Sequence, residues 1–76
     1  MVESFVFIRT EPGRDGNVVR NLKEIEEVKA VHQTPGPYNV IVQSEPTDLT
    51  SVSELVINRI RGIEGVVRTY TSFSVE

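Results

Sequence analysis

A chain of 76 residues makes one small domain, and folding alone withdraws only about 60% of the surface its unfolded form exposes, so oligomerisation is the expected support for a thin stability margin. The absence of cysteine excludes disulfide staples and thiolate metal ligands, and eight basic against eleven acidic residues, a net charge of −3, is the wrong sign for gripping nucleic-acid phosphates. The longest apolar run, Phe5 to Ile8, is far short of the roughly twenty residues that span a bilayer, and no leader pattern opens the chain, so a soluble cytoplasmic protein is expected.

Val2 to Thr10 is rich in β-branched and aromatic residues and is closed by Pro12-Gly13, which predicts a strand running into a turn. Val18, Leu22 and Ile25 recur at helical spacing with Val19 widening the stripe, so Gly16 to Glu26 reads as an amphipathic helix with Asp15 as its N-cap. Val28 to Thr34 and Tyr38 to Ser44 are strand-like runs, and Pro35-Gly36-Pro37 between them is too short for anything but a hairpin. Leu49, Val52, Val56, Ile60 and Ile63 predict a second helix capped by Asp48, with Gly62 near its far end. Gly65 to Val75 then reads as a last strand.

The order βαββαβ predicts an α+β, ferredoxin-like domain, a four-stranded antiparallel sheet carrying two helices on one face. In the first strand both alternating sets are apolar, Phe5 and Phe7 against Val6 and Ile8, and Val40 and Val42 against Ile41 repeat this in the third. Two helices cover only one face, so the pattern implies that a second subunit covers the other. With no repeat, low-complexity tract or linker, residues 1–76 read as one unit.

Signals of catalysis are poor. His32, the single histidine, lies in a strand without an evident orienting partner, and an ordinary sheet or interface residue is the better reading. One histidine and no cysteine give a transition-metal site little to work with, so neither metal nor cofactor is expected. Glu24, Glu26, Glu27 and Lys29 read as a solvated face, and Pro12-Gly13 followed by Gly16 completes neither phosphate-binding pattern. Two places remain. Thr34-Pro35-Gly36-Pro37-Tyr38-Asn39 is a constrained hairpin that can be either a plain turn or a loop presenting free backbone amides to a ligand. Thr69 and Thr71 share one side of the last strand, where two hydroxyls either reflect strand preference or hold a small zwitterion.

The segments Phe5-Val6-Phe7-Ile8-Arg9-Thr10 with Pro12-Gly13, Thr34-Pro35-Gly36-Pro37-Tyr38-Asn39-Val40-Ile41-Val42, and Gly65-Val66-Val67-Arg68-Thr69-Tyr70-Thr71-Ser72 resemble, in order and spacing, the RAM effector domain of the Lrp/AsnC family of transcriptional regulators. Family members usually carry a helix-turn-helix domain ahead of it, so the chain looks like a stand-alone RAM domain. The resemblance implies dimerisation through the sheets, assembly into larger rings, and amino acids bound between dimers by Gly36, Tyr38 and Asn39 beside Thr69, Thr71 and Ser72. Asn39 departs from the family's common aspartate, exchanging a formal charge for a neutral amide, and the two prolines around Gly36 are also unusual.

The expected function is therefore an amino-acid-responsive oligomerisation module, not an enzyme. It would act on transcription through hetero-assembly with DNA-binding Lrp/AsnC-type regulators and not bind DNA directly. Two alternatives stand beside it. An ACT-type regulatory domain places its ligand near Pro12-Gly13 and the start of the first helix, and a small dimeric α+β barrel enzyme needs a polar pocket between helices and sheet.

Overall fold

The computed structural model describes residues 2–44 and 49–75. Strand β1 (Val2–Thr10), helix α1 (Asp15–Lys23), strands β2 (Val28–Gln33) and β3 (Val40–Ser44), helix α2 (Leu49–Leu55) with a π-helical continuation (Val56–Ile60), and strand β4 (Val66–Val75) follow one another along the chain. The strands form one sheet in the order β2-β3-β1-β4, every neighbouring pair antiparallel. This is the predicted ferredoxin-like architecture.

Alternation along the strands decides which side chains meet the helices. Val6 and Ile8 of β1 and Val40 and Val42 of β3 are buried together with Val18 and Leu22 of α1, Ile25 after it, and Leu55, Val56 and Ile60 of the second helical segment. The opposite set, Phe5, Phe7 and Ile41, is only half-buried on the face that carries no helix. Ser4 and Ser44, cross-strand partners at the far end of the core, are buried and hydrogen-bond each other through their hydroxyls. That pairing removes the desolvation cost that either hydroxyl would carry alone.

The turn after β1 is closed by Arg14 N–H donating to Glu11 C=O at 3.0 Å, with Pro12 in its second position and Gly13 at φ +81° in its third, the arrangement of a type II turn. Helix α1 begins one residue earlier than its apolar stripe indicates. Arg14 occupies the N-cap position and Asp15 lies within the first turn, where its carboxylate accepts from Gln33 Nε2 at 3.1 Å rather than capping the helix. Its charge still favours the positive end of the helix dipole. The helix also ends at Lys23 rather than at Glu26. Glu24 and Ile25 donate to carbonyls three residues back, Asn21 and Leu22, and tight turns of that spacing bury Ile25 as well as another helical turn would.

The second helical segment widens where the sequence indicates a continuous α-helix. Arg61 N–H donates to Val56 C=O at 2.9 Å, a five-residue step, and the wider turn brings the adjacent residues Leu55 and Val56 both into the core. Asp48, read as the cap of this helix, lies outside the described residues, as do the side chains of Leu49 and Val52 from its stripe. The β2–β3 loop is longer than the sequence suggests, because Thr34 N–H donates to Asn39 C=O at 3.0 Å and the ladder resumes only at the pair Gln33 and Val40. The prolines at 35 and 37 supply no donors that would extend pairing further.

Between the π-helical segment and β4 the glycine that matters is Gly65, not Gly62. Gly65 has φ +104°, its carbonyl accepts from Glu11 N–H at 2.8 Å, and a Cβ placed on it would meet Arg14 Cβ at 2.7 Å and Val18 Cγ2 at 3.2 Å. Arg14 also pairs with Glu64 at 2.7 Å, and Asn17 Nδ2 donates to Glu64 C=O at 3.2 Å, so the entry to β4 is docked on the start of α1. Strand β4 then carries a bulge: Arg9 faces Arg68 and Thr10 faces Val66, leaving Val67 without a partner and 57% exposed. Gly65→Ala combines backbone strain with a steric overlap, and urea denaturation is expected to show a loss of about 2 kcal/mol or more. Gly62→Ala, with open space around it and no positive φ, should be close to neutral or stabilising.

Candidate functional site

The β2–β3 loop projects beside the end of β1 and is fixed there by one side chain. Asn39 Oδ1 accepts from Thr10 N–H at 3.0 Å while Asn39 Nδ2 donates to Thr10 Oγ1 at 2.7 Å, so the amide is spent on β1 in a two-point clamp. Thr10 itself is buried. The clamp leaves Gly36, at φ +133°, at an exposed tip between its two prolines. Arg9, Thr10, Pro12, Gly36, Pro37 and Asn39 line a depression of about 360 Å³.

Thr69 and Thr71 face the same way, as the alternation of β4 requires, and their partners Ile8 and Val6 place them on the helix side of the sheet. Ser72 faces Phe5 and therefore the opposite side. Thr69 contributes with Arg61, Val66, Val67 and Arg68 to a second depression, of about 400 Å³. Thr71 and Ser72 are half-buried and line neither.

Tyr38 turns onto the open face. Its ring lies 6.2 Å from Phe7 and 6.4 Å from Tyr70, and Phe7 and Tyr70 are 6.1 Å apart, so one aromatic cluster links the loop to the two strands β1 and β4. Tyr70 is 58% exposed nonetheless. His32, opposite Ile41, is an exposed residue of the same face.

The six residues singled out from the sequence are thus distributed: Gly36 and Asn39 in one depression, Thr69 in another, Tyr38 and Ser72 on the open face, and Thr71 on the helix side. Both depressions lie at the end of the sheet where β1 finishes and β4 begins. Pro12 and the hairpin share one of them, so the places that distinguish an ACT-type from a RAM-type ligand position converge at that point. Sequence reasoning missed Arg9, Thr10 and Tyr70. The alternation of β1 is sufficient to put Arg9 on the face of Phe7, but the partner strand is needed to show what lies across from it.

A model of the Lrp/AsnC ligand-binding domain matches residues 3–76, from the start of the first strand to the end of the last. The chain belongs to this family. An HTH-type transcriptional regulator FL11 of Pyrococcus abyssi is 30% identical over 64 residues, which cover 82% of this chain and 42% of the regulator, so the chain spans less than half of that relative's length. The solved structure of TTHA0845 from Thermus thermophilus is 28% identical with a TM-score of 0.91, covering 100% of this chain and 95% of that one. That of FFRP-DM1 is 27% identical with a TM-score of 0.88, covering 99% and 100%.

In this Lrp/AsnC ligand-binding domain the clamp gives the residue at position 39 a structural duty. An aspartate there keeps both contacts, since a carboxylate accepts from Thr10 N–H and from the Thr10 hydroxyl, which then acts as donor. A leucine keeps neither and strands the Thr10 N–H. Asn39→Leu should lower the urea-denaturation stability by about 1–3 kcal/mol, whereas Asn39→Asp should remain within about 0.5 kcal/mol of the parent, the bound for a substitution that breaks no named contact.

Proposed function

We propose that this chain is an amino-acid-binding effector module whose binding site is completed when copies of the chain associate, and that it acts on transcription by assembling with DNA-binding regulators of the Lrp/AsnC family. The observation that carries this reading is the family match across residues 3–76, which includes every element that builds the two depressions. A relative of the chain is a transcriptional regulator, and a regulatory module needs an effector site and no catalytic machinery.

The distribution of candidate residues supports a site shared between chains. Gly36 and Asn39 lie in one depression and Thr69 in the other, and both are open to solvent. A second copy set against this end of the sheet converts two half-sites into a closed one, with backbone amides of the hairpin and the Thr69 hydroxyl available to a ligand's carboxylate, and carbonyl and hydroxyl oxygens to its ammonium. Because Asn39 is engaged by Thr10, its amide holds the hairpin in place instead of taking the ammonium. Binding of this kind favours the assembled state by the ligand's differential affinity for it.

Association itself is supported by the open face. Phe5, Phe7, Tyr38, Ile41 and Tyr70 form a continuous apolar and aromatic surface on a chain too small to leave it wet without cost. Calorimetric titration with the twenty amino acids is expected to find at least one that binds, with Thr69→Val weakening it about tenfold through loss of a hydrogen bond to a charged group. Absence of binding at millimolar concentration across the set would refute the amino-acid reading. Sedimentation velocity at micromolar concentration should show a dimer or larger, and Tyr70→Asp, which a single folded chain tolerates at an exposed position, should shift the population to monomer; a parent protein that sediments as a monomer would remove the interface.

A further inference from the structure

Three arginines gather where β1 ends and β4 begins. Arg9 and Arg68 are direct cross-strand partners, and both stand exposed on the face of Phe7 and Tyr70. Arg61, which ends the π-helical segment, lines the same depression as Arg68 and Thr69. Arg9 lines the neighbouring depression beside the hairpin, so the two hollows flank the Arg9–Arg68 pair.

Like charges placed directly opposite one another in a sheet are destabilising, and a chain of net charge −3 has acidic residues with which to relieve them. Among the described residues it does not. The only ion pair there is Arg14 with Glu64, and none of Arg9, Arg61 and Arg68 has a side-chain hydrogen bond. Three uncompensated guanidinium groups within one end of an acidic domain are an arrangement that an added anion would relieve.

We propose that Arg9, Arg61 and Arg68 form a binding site for a small dicarboxylate. The guanidinium fork matches a carboxylate with two parallel N–H···O bonds. A single carboxylate answers one fork, whereas a diacid carries one carboxylate for the Arg9–Arg68 pair and a second for Arg61. An ammonium brought to the same place meets three like charges, so a neutral zwitterion is a poorer occupant than a diacid. This inference goes beyond the amino-acid reading and does not require it.

The test uses the parent chain and Arg9→Met, Arg61→Met and Arg68→Met, titrated calorimetrically at low ionic strength with glutarate, L-leucine and inorganic phosphate, alongside thermal unfolding without ligand. Glutarate is expected to bind the parent, each variant to lose about tenfold or more in affinity, the loss that follows from one hydrogen-bonded charge pair, and phosphate to bind at least tenfold more weakly than glutarate. Arg9→Met and Arg68→Met should leave the ligand-free melting temperature unchanged or raised, which separates lost binding from lost folding. The proposal is overturned if glutarate gives no heat, if its affinity is the same in all three variants, or if phosphate equals it, which would make the cluster a general oxyanion surface. Leucine bound equally by parent and Arg68→Met while glutarate binds neither would overturn this site and leave the amino-acid reading standing. Glutarate held through the arginines with no amino acid bound would do the reverse.

Discussion

Strand β1 is bonded on both edges, to β3 and to β4, and is apolar on both faces, and the remainder of the molecule is arranged around that double demand. One set of its side chains, Val6 and Ile8, draws both helical segments onto a single face and becomes the core. The other set, Phe5 and Phe7, has no helix left to meet it. An antiparallel sheet can turn one face to water where its alternate side chains are polar, but the uncovered face of β1 carries Phe5 and Phe7 and is apolar. The association proposed for this chain therefore rests on two phenylalanines at the centre of the sheet and not on the loops that line the depressions.

The end of β1 is where structure and candidate function are tied together. Thr10 is held by Asn39, Glu11 donates to Gly65, and Arg14 follows the turn to reach Glu64. Hairpin, β1, α1 and the entry to β4 are in this way referenced to one short stretch, residues 10 to 14. Both depressions open beside it, one walled by the end of β1, its turn and the hairpin and the other by β4 and Arg61, and the hairpin and the entry to β4 are tied to this stretch rather than being independent loops. A ligand entering this region meets pre-positioned groups and spends less of its binding energy on ordering them.

Much of this is legible in the sequence because strand alternation and helical spacing are strong signals over segments as regular as Phe5 to Ile8 or Val18 to Ile25. Element order, the apolar stripe of α1 and the hairpin between β2 and β3 follow from them, whereas which of the two apolar sets of β1 meets the helices does not. What the spacing does not distinguish are alternatives that bury the same residue: Ile25 reaches the core from a tight turn as readily as from a helix, and Val56 and Ile60 fit a π-helical turn as well as an α-helical one. Asp15 has the sequence position of a cap, but the competitor for its carboxylate, Gln33, lies on another element. Candidate site residues meet the same limit. The common side of Thr69 and Thr71 is a local fact and readable, whereas the commitment of Asn39 to Thr10, the pairing of Arg9 with Arg68 and the aromatic cluster of Phe7, Tyr38 and Tyr70 depend on which strands become neighbours.

The bulge at Val67 has a bearing on how this chain tolerates changes of length. On either side of it the two strands are out of step by one residue, yet Val66 and Thr69 both belong to the helix side and Arg68 to the open side. The spare residue acts as slack that resets the phase of β4. Deleting it would let the ladder run straight, whereas deleting a residue further along, at Tyr70, would carry every side chain on one flank to the wrong face. Homologous chains that differ by one residue in this strand can therefore keep the same core and the same open surface, provided the difference falls where the slack already lies.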